Sequence, residues 1–152
     1  MKVEELLRQN GVWFEAIPHR TTFTAQRTAE AVHVTGDEVA KTVVLKADDR
    51  YVLAVLQATR NVDLERARTA LGVKATRLAT ERELATLFPD CELGALPPFG
   101  SRYGLTTLVD EPLTHDAQVV IEGNSHDMAI RMNYADFARL ERPRVAAFSY
   151  HN

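Results

Sequence analysis

Lys41 stands just outside Thr42-Val43-Val44-Leu45, a mostly β-branched, continuously apolar run that reads as a strand covered on both faces. A lysine there can pack its stem and hold its ammonium in a cleft on a rigid mount. Taken alone, the commoner case is a solvated lysine at a strand end. A second candidate is Gly94-Ala95-Leu96-Pro97-Pro98-Phe99-Gly100. Glycines at both ends allow close approach of backbone to ligand, and the prolines fix the loop before any ligand arrives. The alternative is a plain stiff connection between two elements. His126 follows a Gly123-Asn124-Ser125 turn; its ring can contact a ligand or position water, or it can be an ordinary exposed turn histidine.

Other chemistries find no support. Cys91 lies between Asp90 and Glu92, neighbours that raise a thiol's pKa and weaken it as a nucleophile. The five histidines show no His-x-x-x-His spacing and the lone cysteine makes no Cys-x-x-Cys, so no metal site and no cofactor is expected. A Gly-x-Ser-x-Gly elbow and a P-loop are both absent from the sequence.

The elements that must position these residues follow from periodicity and punctuation. Val3, Leu6 and Leu7 form one face of a short helix ending near Asn10-Gly11, and Trp13 to Ile17 reads as a strand. Pro18-His19-Arg20 breaks it, and Thr24 caps a second helix whose Ala25, Ala29 and Val32 line a small-residue face. The Lys41 strand turns at Asp48-Asp49 into Tyr51 to Leu56, an antiparallel hairpin expected at the centre of the sheet. Asp63 caps a helix ending at Gly72, and Val73 to Leu78 reads as a short strand. Thr80-Glu81-Arg82-Glu83 is a capping box for a helix that Pro89 ends. Thr106 to Val109, Gln118 to Ile121 and Met128 to Met132 read as strands. A last helix spans about Tyr134 to Leu140, and Val145 to Phe148 is an edge strand.

At 152 residues with 45% hydrophobic and 26% charged side chains, the chain fits one domain over 1–152 with its own core. A formal net charge of -3 argues against wrapping a long nucleic acid such as DNA, though not against touching a nucleic-acid end. No apolar run is long enough to cross a membrane, and the first residues are not signal-like. The expected location is the cytoplasm, with which the single cysteine agrees.

The residues that carry a resemblance are His19 with Thr24-Ala25-Gln26, Lys41-Thr42-Val43-Val44-Leu45, Gly94 to Gly100, Val109-Asp110, Glu122 to His126, Ala129 to Met132 and Asp136-Phe137. Together they resemble the YbaK/EbsC-type aminoacyl-tRNA editing domains, related to the editing domain inserted in bacterial prolyl-tRNA synthetases. The resemblance implies a mixed α/β (α+β) fold with a largely antiparallel, barrel-like sheet surrounded by helices. It also implies a free-standing deacylase that hydrolyses the ester of a mischarged tRNA, such as Ala or Cys on tRNA(Pro), with water as nucleophile. The partners so implied are the aminoacylated tRNA 3′ end and a synthetase.

By the same resemblance Lys41 is the electrostatic anchor, neutralising a phosphate or the charge developing on the ester carbonyl. Gly94 and Pro98 belong to the loop that presents backbone amides, with Pro97 and Phe99 as packing. His126 shapes the aminoacyl pocket, and the turn that carries it brings Gly123 and Asn124 to the substrate. His19 lines the pocket or caps the second helix, and Thr42 offers a hydroxyl or is simply a strand residue. Asp127 and Asp136 receive no role. The alternatives are a non-catalytic module that binds an aminoacyl or nucleotide end, and a hydrolase of small aminoacyl esters.

Overall fold

A computed structural model of the chain describes residues 1–22, 24–32 and 36–151. The helices and strands in chain order are α1 (Val3–Gln9), β1 (Phe14–Pro18), α2 (Ala25–Ala31), β2 (Ala40–Ala47), β3 (Arg50–Gln57), β4 (Arg60–Val62), α3 (Leu64–Leu71), β5 (Thr76–Leu78), α4 (Glu81–Leu87), β6 (Thr106–Asp110), β7 (Gln118–Glu122), β8 (Met128–Asn133), α5 (Tyr134–Glu141), β9 (Arg144–Ala146) and β10 (Ser149–His151).

The strands form a five-stranded sheet ordered β5-β2-β3-β6-β9, a three-stranded sheet ordered β1-β8-β7, and a β10-β4 pair. The fold is mixed α+β. Most strand pairings are antiparallel, as expected, but β3–β6 and β6–β9 run parallel. Residues 91–103 cross from α4 to β6 and allow β6 to enter beside β3 in the same direction, a connection that adjacent hairpins cannot make.

The β2–β3 hairpin supplies the centre of the five-stranded sheet. Its register pairs Lys41 with Leu56, Thr42 with Val55 and Leu45 with Val52. Val52 through Leu56 are essentially inaccessible, because both faces of the hairpin are covered. One face joins Ala40, Val44, Leu53 and Val55 to α1, Phe99 and Phe137. The other packs Leu45, Ala54 and Leu56 on Ala67 and Leu71 of α3 and on Phe148. A third, smaller cluster holds α2, through Ala29, against Val39, Ala58, Val120 and Ala129.

Local chemistry explains most of the helix ends. Thr24 accepts from the Arg27 amide, Asp63 from the amides of Glu65 and Arg66, and Thr80 with Glu83 forms the full capping box. Each supplies an acceptor to amides that have no partner inside the helix. The Glu83 carboxylate also receives Arg77 at 2.8 and 3.0 Å and the Tyr51 hydroxyl. These donors hold its pKa well below the usual range, the Arg77 hydrogen bond first, and tie α4 to β5 and β3.

The C-terminal segment differs from the edge strand expected over Val145 to Phe148. The edge strand is β9, while Phe148 turns inward and donates its amide to Asp110 at 3.0 Å. Asp110 is fully buried and also accepts from Ser149 Oγ, with Arg60 Nε 3.8 Å away. A buried carboxylate with three such neighbours anchors the turn that separates β9 from β10.

Candidate functional site

Lys41 is the second residue of β2 and is half-buried. Its ammonium lies 3.4 Å from Asn61 Oδ1, on β4. Burial pushes its pKa below the ordinary lysine value, and among the described residues no carboxylate pairs with it. The group is therefore a partly desolvated cation without a counter-charge, the state in which it interacts most strongly with a ligand's negative charge. Asn61 was absent from the sequence expectations, since nothing in Arg60-Asn61-Val62 marks it before β4 is placed. Thr42, next along the strand, is half-buried and pairs with Val55.

Gly94 and His126 belong to one clamped unit. Gly94 has φ of +85°, a left-handed backbone that favours glycine. Just before it, the Leu93 carbonyl accepts from His126 Nε2 at 2.6 Å. Glu92 adds two bonds: its carboxylate accepts the His126 amide at 3.1 Å and its own amide donates to the Asn124 carbonyl at 3.1 Å. The His126 side chain is thus a buried strut holding the loop, not an exposed turn residue. Pro98 is buried and lines a tight apolar void, with no room for a water molecule, beside Ala40, Val55 and Phe137. It supports the residue that precedes Lys41. Pro97 is buried too, and the Phe99 ring meets Phe137 edge-on at 5.5 Å.

The turn residues are occupied structurally. Asn124, at φ of +77°, accepts the Val3 amide at 3.0 Å and donates to the Met1 carbonyl at 2.9 Å, fixing α1. At Gly123 a Cβ would stand 2.9 Å from Met128 Cγ and 3.3 Å from the Met128 carbonyl, so the β7–β8 turn closes tightly there. Asp127 accepts from Ser125 Oγ at 2.7 Å, and Asp136 pairs with Arg139 at 2.9 Å on α5.

A polar cluster lies beneath α2. Ile17, Ala129 and Glu122 occupy one row across β1, β8 and β7, and the row faces α2 because Ala129 packs on Ala29 there. Glu122 is only 5% exposed. Thr28 Oγ1 lies 3.2 Å from Glu122 Oε1 and 2.7 Å from Thr22 Oγ1. Burial raises the Glu122 pKa to about 7, partly offset by Thr28. Two residues beyond Ile17, His19 donates from Nδ1 to the Arg20 carbonyl at 2.6 Å. Glu122 Oε2 and His19 Nε2 are both buried without a hydrogen-bond partner. Glu122 drew no role from sequence, although an acid ending Val119-Val120-Ile121 is the visible anomaly.

A backbone bridge links the strand of this cluster to the segment that leads into Lys41. Val39 forms a parallel bridge to Val120, and Lys41 and Glu122 each lie two residues further along their chains. Gln26 of α2 donates to the Ala58 carbonyl at 3.1 Å, bringing that helix to the chain just before Asn61. Residues 23 and 33–35 fall outside the described residues.

Cys91 is half-buried. Its thiol pKa is raised chiefly by burial, with Asp90 adding to it and hydrogen bonds from Tyr103 and Asn124 opposing. The direction matches the sequence expectation, but the leading cause is desolvation. Among the described residues no group of three or more His, Cys, Asp or Glu side chains could hold a metal ion. No described helix is long and apolar enough to cross a membrane.

The fold and the motifs gathered on it define an aminoacyl-tRNA editing domain: the chain belongs to that family, whose model matches residues 19–140. Among individual relatives, it is 26% identical over 100 residues to a proline–tRNA ligase of Geobacillus sp. (strain WCH70). That match covers 66% of this chain and 17% of the ligase, so the chain spans about a sixth of its relative's length. The fold is shared with a solved hypothetical protein at a TM-score of 0.88 and 20% identity, covering 97% of this chain and 99% of the other. It is shared also with a structure described as a candidate trans-editing enzyme for prolyl tRNA synthetase, at 0.83 and 24%, covering 97% and 94%.

Proposed function

We propose that this protein is an aminoacyl-tRNA deacylase that clears a small amino acid, such as Ala or Cys, from tRNA(Pro) or a related tRNA. The observation that carries this reading is the half-buried Lys41 ammonium, without a carboxylate partner among the described residues, in a chain of the editing family. In the reaction water attacks the ester carbonyl carbon. The new bond joins water oxygen to the acyl carbon, the bond to the ribose oxygen breaks, and that oxygen takes up a proton. This balances without a cofactor.

Lys41 is the electrostatic anchor in this scheme. Its ammonium stabilises negative charge on the carbonyl oxygen in the transition state, or holds a phosphate of the tRNA 3′ end. The His126–Leu93 clamp sets the height of the Gly94 loop over the substrate, and Pro98 stiffens its far end. In this scheme His126, Gly94 and Pro98 act by positioning, while Thr42 and His19 line the aminoacyl pocket. Gly123 and Asn124 shape the turn behind it. A cytoplasmic location and selection aided by a synthetase partner fit the same reading.

The test is deacylation of a panel of mischarged tRNAs, including Ala-tRNA(Pro) and Cys-tRNA(Pro). At least one should be hydrolysed well above the buffer rate. Binding of tRNA without hydrolysis of any of them would instead favour a non-catalytic module of the same fold. A short aminoacyl-adenosine separates the third reading, because an enzyme that uses tRNA contacts in the transition state loses rate on the truncated substrate.

A further inference from the structure

Two buried acceptors with nothing to accept need a ligand-side explanation. Glu122 Oε2 and His19 Nε2 have no partner among the described residues, although buried polar atoms are nearly always hydrogen-bonded. They share the end of the β1-β8-β7 sheet that α2 covers, Glu122 in the Ile17–Ala129 row and His19 two residues past it. The His19 proton is committed to the Arg20 carbonyl through Nδ1, which leaves Nε2 of the neutral ring as an acceptor.

A single partner that serves both acceptors must carry more than one donor. A cation is the better match, because a neutral hydroxyl would leave a buried carboxylate uncompensated. The chain that carries Lys41 meets β7 at the parallel Val39–Val120 bridge, two residues before Lys41 on one side and two before Glu122 on the other. An aminoacyl ester carries an oxygen on which negative charge develops and, one carbon away, an ammonium with three N–H donors. A lysine on one side and two acceptors on the other orient such a molecule in one sense only, because the reversed pose sets ammonium against ammonium.

We infer that Glu122, assisted by His19, recognises the α-ammonium of the aminoacyl group, so that the protein selects α-amino esters over otherwise identical esters lacking the amine. This rests on the deacylase reading. The ammonium is common to every aminoacyl-tRNA, so Glu122 fixes the pose while the remainder of the pocket reads the side chain.

The test compares alanyl-tRNA with lactyl-tRNA, in which a hydroxyl replaces the amine at nearly constant size, for the wild type and Glu122→Gln. The glutamine keeps the shape and an acceptor for Thr28 but removes the charge. The alanyl-to-lactyl ratio of kcat/KM, each corrected for spontaneous hydrolysis, should fall about 10- to 100-fold in the variant, the scale of one charged hydrogen bond, with the lactyl rate nearly unchanged. Equal slowing of both substrates would assign Glu122 a purely structural role and overturn the inference.

Binding provides a readout independent of turnover. RNA minihelices carrying non-hydrolysable 3′-amide-linked alanyl or lactyl groups should show a preference for alanyl that Glu122→Gln abolishes. If the wild type hydrolyses neither ester yet shows this preference, the deacylase reading fails and ammonium recognition stands. Equal wild-type binding of the two minihelices overturns ammonium recognition whatever the hydrolysis result.

Discussion

His126 Nε2 donates to the Leu93 carbonyl at 2.6 Å, a bond between residues far apart in sequence that joins the β7–β8 turn to the loop opening at Gly94. The ring is almost fully buried, and the carboxylate of Glu92 receives the amide of the same histidine. The two motifs that sequence marks separately are therefore one mechanical unit.

Replacing His126 with alanine leaves the Leu93 carbonyl without its donor and opens a gap under the loop. The expected loss is about 1–3 kcal/mol of stability, the scale for a buried group left unpaired. Thermal unfolding measures it, and hydrogen exchange should speed up at the Ala95 amide, which bonds to the Glu92 carbonyl in the same loop. An unchanged melting temperature and unchanged exchange would remove the clamp from the account.

Glu122 makes stability depend on pH with a definite sign. Its folded pKa of about 7 lies above that of an unfolded glutamate, so between those two values the native state holds a proton that the unfolded state has released. Stability from this group is present in full below the unfolded value, falls as pH rises toward 7, and levels off above it. The span is on the order of 3 kcal/mol. Urea unfolding from pH 4.5 to 8 should show the decline in the wild type and a flatter profile in Glu122→Gln.

At Gly123 the close approach of Met128 leaves little room for a methyl group. Gly123→Ala should destabilise by about 1 kcal/mol, as small overpacking changes do, since the Met128 side chain can move but its carbonyl is held by the Gly123 amide. Chemical denaturation reads this directly. Neutral or increased stability would mean the turn relaxes freely.

The Cys91 thiol should be inert. Burial raises its pKa, so little thiolate exists near neutrality, and a disulfide reagent at pH 7.5 should label it at least roughly 10-fold more slowly than the denatured chain. Labelling as fast as an unfolded thiol would show that the 91–94 segment opens readily.

Much of this architecture is legible because the signals act over short distances. Thr24, Asp63 and Thr80 reach amides two or three residues away, and the Lys41 hairpin shows itself as two apolar runs about Asp48-Asp49. The parallel pairing of β3 with β6 depends on strands far apart in sequence, where no local pattern encodes direction. The short β10 is missed for a related reason: Ser149–His151 becomes a strand only by pairing with β4. At the site, Lys41, the Gly94 loop and His126 stand out by residue type, yet the His126 strut emerges only when Leu93 is brought beside it. Asn61 carries no local signal, whereas Glu122 is visible as an acid on an apolar strand whose meaning comes from Thr28 above it.

If the half-buried Lys41 ammonium drives hydrolysis electrostatically, the decisive quantity is the single-turnover deacylation rate of wild type and Lys41→Ala on the best substrate of the mischarged tRNA panel. Thermal unfolding should first show that both proteins are folded. A loss of about 100- to 1,000-fold is expected, the scale for removing a group that stabilises transition-state charge, with Lys41→Arg intermediate. A folded Lys41→Ala that deacylates at the wild-type rate would contradict it.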